Sequence, residues 1–139
     1  MIERTYDPDV LRSIGDEFLK EEFLPIWLGN PHNVLLIEDE DIGIATHEYP
    51  GLYTVHWFFK RRGREALKLA RRMFAYMFEN HGAQALRGFT PVNNKAARWA
   101  SRQVGLKSQG LISTPDGREH EFFIITKDEF YNDKERGID

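Results

Sequence analysis

The chain has 139 residues, a formal net charge of -3, 41% hydrophobic residues and no cysteine. This length and apolar content suffice for one domain with its own core, and the lack of cysteine excludes disulfide scaffolds and thiolate chemistry. No apolar run approaches the roughly 20 residues of a membrane span, and the acidic N-terminus is not a signal peptide. We expect one cytoplasmic domain over residues 1–139, with a frayed charged tail at 127–139.

The first third of the chain predicts a short strand and one long helix. Residues 2–6 are strand-like, and Asp7 with the proline after it forms a good helix start. Apolar residues then recur at helical spacing as far as Phe23, and Pro25 ends the pattern. We expect residues 26–32 to form an irregular connection.

Three strand-like runs follow, joined by short turns. They cover residues 33–38, 42–49 and 52–60, and their short connections imply an antiparallel meander. Both faces of the third run are largely apolar, which predicts a central strand covered on both sides. The acidic turn at 39–41 is typical of a solvated hairpin tip.

The second half of the chain alternates helices with strands. Its predicted elements are a helix from Gly63 to about Gly82, a strand over 85–90, a helix from Asn94 to Gly105, and strands over 106–113 and 121–126. Because helices link some of the strands, parallel pairing is expected beside antiparallel pairing. The sequence therefore predicts an α+β fold with a mixed, mostly antiparallel sheet of about six to seven strands and three to four helices.

Positive charge is concentrated where the third strand run meets the helix after it. Of the 19 Lys and Arg residues, seven lie between Lys60 and Arg72, where only Glu65 opposes them. A glycine-containing loop at a helix N-terminus suits a phosphate, because first-turn N–H groups lack intrahelical partners and the helix dipole is positive there. The other interpretation is a solvated basic helix face. The rest of the chain is acidic, which disfavours a general nucleic-acid binder.

Two sequence blocks, taken with the order of the predicted elements, resemble a known family. The first block is Arg61-Arg62-Gly63-Arg64-Glu65-Ala66, and the second runs from Gly88 through Asn94 to Gly110. Together they are similar to the GNAT superfamily of acyl-CoA-dependent N-acyltransferases, over about residues 2–126. The likeness is closest to small phage-encoded GNAT-like proteins, which implies the cytoplasm of a bacterial host.

The resemblance implies acetyl-CoA or another acyl-CoA as cofactor, and an amine on a small molecule or protein as acceptor. The pyrophosphate would lie on backbone N–H groups at the helix start, where arginine side chains would also bind the adenosine 3′-phosphate. The pantetheine arm would pair with a strand splayed from its neighbour. The residues assigned to the cofactor are Trp57, Phe58, Phe59, Arg61, Arg62, Gly63, Arg64, Glu65 and Asn94.

The chemistry of the family is direct attack of an amine on a thioester, which needs a base and an acid. His56 lies on the strand that would line the thioester, and its ordinary pKa suits a base near neutral pH. The alternative for His56 is a hydrogen-bonded core histidine. The register of the family puts Ser101 where its acid, a tyrosine, normally stands. A serine hydroxyl is a far weaker acid, so Tyr53, Tyr76 or a water could take that role.

Two departures from the family pattern keep a second hypothesis open. Glu65 places a carboxylate near the phosphates, and Ser101 replaces the usual acid. A catalytically inactive GNAT-like scaffold, serving as a binding or virion-associated interaction module, therefore stands beside the enzyme. A nucleic-acid-binding face on residues 60–72 is a third interpretation, which the net charge disfavours. His32, His81 and His120 have no partners at metal-ligand spacing, so no metal site is expected. The C-terminal strand edge offers a route to a homodimer.

Overall fold

Seven strands form the sheet at the centre of the structure, a computed structural model that describes residues 1–133. They are β1 (Glu3–Arg4), β2 (Val34–Glu38), β3 (Asp41–Tyr49), β4 (Leu52–Phe58), β5 (Ala85–Pro91), β6 (Lys107–Ser113) and β7 (Glu119–Thr126). Their order is β1-β2-β3-β4-β5-β7-β6. Only β4 and β5 run parallel, and the other neighbours in these residues are antiparallel. The expected mixed, mostly antiparallel sheet is confirmed.

The helices within residues 1–133 are α1 (Pro8–Arg12), α2 (Leu24–Gly29), α3 (Gly63–Asn80), α4 (Lys95–Gln103) and α5 (Lys127–Asn132). The prediction of one long helix up to Phe23 is wrong, because the chain leaves α1 and makes two 3₁₀ turns instead. Gly15 has a φ of +72°, a left-handed conformation that interrupts a right-handed helix. Pro25 lies in the first turn of α2, where proline is tolerated, rather than ending a helix.

The C-terminal segment is helical where a frayed tail was expected. The Thr126 hydroxyl accepts the Glu129 N–H at 3.2 Å, and the Glu129 carboxylate accepts the Thr126 N–H at 2.9 Å. This reciprocal capping box begins α5, and Phe130 is buried in the core. The expectation is therefore wrong for residues 127–132, and residues 134–139 lie outside the described part of the chain.

Two apolar clusters cover the opposite faces of the sheet. One joins α3, α4 and α5 to one face, and the other joins α1 and α2 to the other face. Strand β4 contributes Val55 to the first cluster and Phe58 to the second, which confirms a central strand covered on both sides. Within residues 1–133, no helix is long and apolar enough to cross a membrane, and no three acidic or histidine side chains group as metal ligands.

Candidate functional site

Strands β4 and β5 pair over only three residues and then separate. Residues 52–54 pair with 85–87, and the pairing stops there. Beyond that point β4 stays paired with β3 as far as Phe58, and β5 stays paired with β7 as far as Pro91. The facing backbone edges of 55–58 and 88–91 therefore border a gap inside the sheet instead of each other.

Arg87 lies at the point of separation and joins the two strands. Its Nε donates to the Thr54 hydroxyl at 2.9 Å, and its Nη2 donates to the Glu48 carboxylate at 3.1 Å. Thr54 and Arg87 are also the last paired residues of the two strands. This side chain therefore ties β3, β4 and β5 together just before the gap opens.

The gap forms a cleft with a volume of about 340 Å³. Its walls are the separated ends of β4 and β5 and the side of α4 that runs from Asn94 to Ser101, and Glu17 from the turn after α1 also lines it. The cleft brings together five residues that the sequence analysis proposed for the site. They are His56, Trp57, Phe58, Asn94 and Ser101.

His56 lies on β4 at the cleft, on the sheet face that carries α1 and α2. Its ring lies 5.2 Å from the Phe18 ring, and its Nδ1 is buried without a hydrogen-bond partner in residues 1–133. Burial lowers the pKa of His56, an effect that the nearby Glu48 carboxylate only partly offsets. The lowered pKa favours the neutral imidazole near pH 7, which is the form that can accept a proton.

Ser101 is buried on α4 and lines the same cleft. The tyrosines proposed as alternative acids lie elsewhere. The Tyr53 hydroxyl donates to the His81 carbonyl at 3.2 Å, and the Tyr76 ring lies 5.5 Å from the His81 ring, beside the C-terminus of α3. That end of the molecule lies opposite the start of α3, so neither tyrosine fits the role of acid in the cleft.

Asn94 begins α4 at the cleft wall. Its side-chain oxygen accepts the Ala97 N–H at 3.1 Å, the contact expected of an N-cap residue. Helix α4 is then held on β7 by Glu121, which is buried and accepts from Arg98 Nε at 2.7 Å and from Arg102. Because this carboxylate binds two arginines, the wall that carries Asn94 is fixed in place.

Arg61 has an environment that the sequence analysis did not foresee. Its guanidinium binds three carboxylates from the β2–β3 hairpin: Asp41, Glu38 at 3.0 Å and Asp39 at 3.2 Å. These partners lie about 20 residues away in the sequence, so local patterns could not reveal them. The protein's own carboxylates therefore already engage the Arg61 guanidinium that was expected to bind phosphate.

The loop between β4 and α3 is compact and ends in the expected glycine. Arg62 Nη1 donates to the carbonyls of Phe59, Lys60 and Arg61 at 2.5, 3.1 and 3.2 Å, which folds the loop around one guanidinium. Gly63 then starts α3 with a φ of +61°, a left-handed conformation that favours glycine. This geometry places the first-turn N–H groups of α3 directly after the separated end of β4.

Glu65 and Lys68 form an exposed pair on the first turn of α3, with 3.9 Å between Oε1 and Nζ. The Glu65 side chain is 70% exposed, so this carboxylate lies in solvent. Solvent exposure weakens its repulsion of an anion at the helix start. The departure of Glu65 from the family pattern is therefore less serious than the sequence implied.

The aromatic side chains at the end of β4 belong to the core. The Trp57 ring lies 5.9 Å from the Phe74 ring and 6.4 Å from the Phe59 ring, on the face covered by α3. Phe58 packs on the opposite face. What this segment can offer a ligand is its backbone edge, which faces the cleft.

Solved acetyltransferases have the same overall structure. A mutant of the spermidine N-acetyltransferase SpeG from Vibrio cholerae matches with a TM-score of 0.76 and 12% identity, over 96% of this chain and 98% of that one. The aminoglycoside acetyltransferase AAC(6')-Ib in complex with coenzyme A matches with a TM-score of 0.71 and 14% identity, over 95% and 97%. An acetyltransferase of the GNAT family from Bacillus anthracis matches with a TM-score of 0.61 and 16% identity, over 88% and 84%.

The chain has the GNAT acetyltransferase fold. This confirms the fold that the two sequence blocks implied, although no protein-family model and no curated protein matches the sequence. The resemblance to a GNAT protein also implied a strand splayed from its neighbour, and the separation of β4 from β5 after Thr54 provides it. At identities of 12 to 16%, the likeness to these structures is one of fold.

Proposed function

We propose that this GNAT-fold protein transfers an acyl group, most simply acetyl, from an acyl-CoA to an amine. The observation that carries the proposal is the separation of β4 from β5 into a cleft lined by His56, whose Nδ1 is buried. The fold is shared with AAC(6')-Ib, which was solved in complex with coenzyme A, and with the spermidine N-acetyltransferase SpeG.

The residues present fit acetyl-CoA at two places. The open backbone edge of 55–58 suits the peptide-like pantetheine arm, since its N–H and C=O groups face the cleft instead of a paired strand. The first turn of α3, at 63–65, suits the pyrophosphate, because its N–H groups and the helix dipole attract an anion. When bound, acetyl-CoA supplies the acetyl group as a thioester.

His56 is proposed as the base. An amine acceptor is protonated near neutral pH and becomes a nucleophile only after it loses a proton. The neutral imidazole of His56 can take that proton inside the cleft, and Glu48 favours the resulting positive charge. Ser101 lines the same cleft, and its hydroxyl is proposed to donate a hydrogen bond to the departing sulfur.

The acceptor is proposed to be a cationic amine that enters beside Glu17. A second groove of about 590 Å³ adjoins the cleft, and Glu17 and Phe58 line both of them. Five carboxylates and one lysine line this groove: Asp7, Asp9, Glu17, Asp39, Glu40 and Lys60. This excess of negative charge favours an acceptor with more than one ammonium group.

The test measures binding and turnover separately. Isothermal titration with acetyl-CoA is expected to give saturable heat, and thiol release is expected to be faster with a diamine than with a neutral-tailed monoamine of the same length. No heat and no thermal shift at millimolar acetyl-CoA would contradict the proposal at its first step. A scaffold without catalysis would bind acetyl-CoA but release no thiol with any amine.

A further inference from the structure

The β2–β3 hairpin carries two buried carboxylates, and one of them, Asp41, lies in the turn that was expected to be solvated. Glu38 ends β2, Asp41 begins β3, and the two residues face each other across the hairpin. Only 7% of Glu38 and 3% of Asp41 is exposed, whereas the Asp39 and Glu40 side chains at the tip are 84% and 74% exposed. Buried carboxylates are costly unless they are paired and hydrogen-bonded, so their partners matter.

These partners belong to the loop before α3 and to α3 itself. Asp41 accepts the backbone N–H of Lys60 at 2.5 Å and also accepts from Arg61 Nε. Glu38 accepts from Arg61 Nη1 at 3.0 Å, and it binds both terminal nitrogens of Arg72 at 2.8 and 2.9 Å. The hydrogen bonds from Arg72, followed by the N-terminal ammonium, lower the pKa of Glu38 to about 2 despite its burial, so it stays ionised.

The contacts hold the loop from the side opposite the cleft. The last strand pair between β3 and β4 is Ile42 with Phe58, and the bond from Lys60 to Asp41 extends that attachment by two residues. Arg72 anchors α3 to the same hairpin. The position of the helix start is therefore determined by the hairpin before any ligand binds, which reduces the ordering that binding requires.

We propose that Asp41 and Glu38 are positioning residues for a pyrophosphate at the start of α3. They hold the loop at 59–62 so that the N–H groups of the first turn face the anion, and they touch no ligand themselves. This inference rests on the proposed function, because it assumes that the pyrophosphate of an acyl-CoA lies at that turn.

The experiment compares a cofactor that carries a pyrophosphate with one that lacks it. The variants are Asp41→Asn and, as a matched control, Asp116→Asn, whose exposed carboxylate pairs with Arg118 in the turn between β6 and β7. For Asp41→Asn we expect kcat/KM with acetyl-CoA to fall about 10-fold because KM rises. With S-acetylpantetheine, which lacks the pyrophosphate, we expect kcat/KM to change less than about twofold. Isothermal titration with CoA is expected to show the same loss of affinity, and Asp116→Asn is expected to stay within about twofold of wild type in every measurement.

The outcomes separate this inference from the proposed function. If the wild-type protein binds no CoA, the proposed function fails. The positioning role is wrong if the wild-type protein and Asp41→Asn bind CoA equally well. It is also wrong if kcat/KM of Asp41→Asn falls equally with acetyl-CoA and with S-acetylpantetheine. If Asp41→Asn does not fold by circular dichroism, Arg61→Lys tests the same contacts, since it keeps the charge but lacks the planar fork. The same selective loss is expected for Arg61→Lys, and its absence would overturn the inference.

Discussion

His56 and His81 lie near opposite ends of the β4–β5 pair and have similar local chemistry. Each has a buried ring nitrogen without a hydrogen-bond partner in residues 1–133, and burial lowers the pKa of both. Their surroundings differ. His56 opens onto the cleft with Ser101, whereas His81 ends α3 at the paired end, where its carbonyl accepts from Tyr53. Both residues therefore have a lowered pKa, but only His56 lies beside the cleft, so only His56 is a candidate base.

The charges near the two histidines support the same distinction. Beside the dominant effect of burial, Glu48 raises the pKa of His56, whereas Arg4 lowers the pKa of His81 further. A carboxylate near His56 favours the protonated state that a base must reach during the reaction. An arginine near His81 disfavours that state, which is consistent with a structural role at the paired end.

The largest expected effect is on turnover. His56→Ala is expected to lower kcat/KM by about 10²-fold or more, because it removes the proposed base. His81→Ala serves as the matched control and is expected to leave turnover within about twofold, since it lies outside the cleft. Thiol release at saturating acetyl-CoA measures both variants, with circular dichroism to check folding. Equal losses of kcat/KM in the two variants would contradict the assignment of the base to His56.

The pH dependence of turnover tests the same base more finely. We expect kcat/KM to fall on the acid side with an inflection below the ordinary histidine value of 6.5, because burial lowers the pKa of His56. The initial rate of thiol release across a pH series measures this inflection. If the same inflection persists in His56→Gln, it belongs to the titration of another group.

A smaller effect is expected at the junction between the paired and separated segments. Arg87→Ala removes the bonds to Thr54 and Glu48 and is expected to destabilise the protein by about 1–2 kcal/mol, since this contact is partly buried. Arg118→Ala is a suitable control, because the Arg118–Asp116 pair is exposed and is expected to contribute less than about 0.5 kcal/mol. Urea unfolding measures both, and a smaller loss for Arg87→Ala than for Arg118→Ala would contradict this view of the junction.

The smallest effect concerns stability at acid pH. The folded protein binds a proton at His81 less readily than the unfolded chain, so this contribution to stability is complete above about pH 6.5 and is lost as the pH falls below it. We expect His81→Gln to lose less stability than wild type between about pH 7.5 and about pH 5.5, with His56 retained in both. Urea unfolding at the two pH values measures the loss of stability in each protein. Identical losses in wild type and His81→Gln would show that His81 does not cause this pH dependence.

Local signals in the sequence predicted the elements that frame the site. Gly63 was expected at the start of α3 and has the left-handed φ that glycine permits. Asn94 was expected to lead α4 and caps it through its side chain. Both predictions succeeded because a turn or a cap depends on only a few neighbouring residues. The short helices α2 and α5 were missed, since packing against the core stabilises them more than local propensity does.

The sequence alone could not determine which arginines would be available to a ligand. Arg71 belongs to the basic segment 60–72, for which a solvated helix face was one interpretation, but it is buried, donates to the Val104 carbonyl at 2.8 Å and lies over the Phe130 ring. Arg61 was expected to bind phosphate, but it binds the carboxylates of the β2–β3 hairpin. In both cases the partners lie 20 or more residues away, so only the folded chain brings them together.

By itself, the sequence determined the strand, the basic loop and the helix from Trp57 onwards, because hydrophobic periodicity and one glycine specify them locally. The tertiary structure decided where the sheet opens. Strand β4 leaves β5 after Thr54 because β3 holds one strand and β7 holds the other, and this competition between partners is invisible in either strand alone. The cleft, and with it the difference between His56 and His81, arises from that long-range pairing.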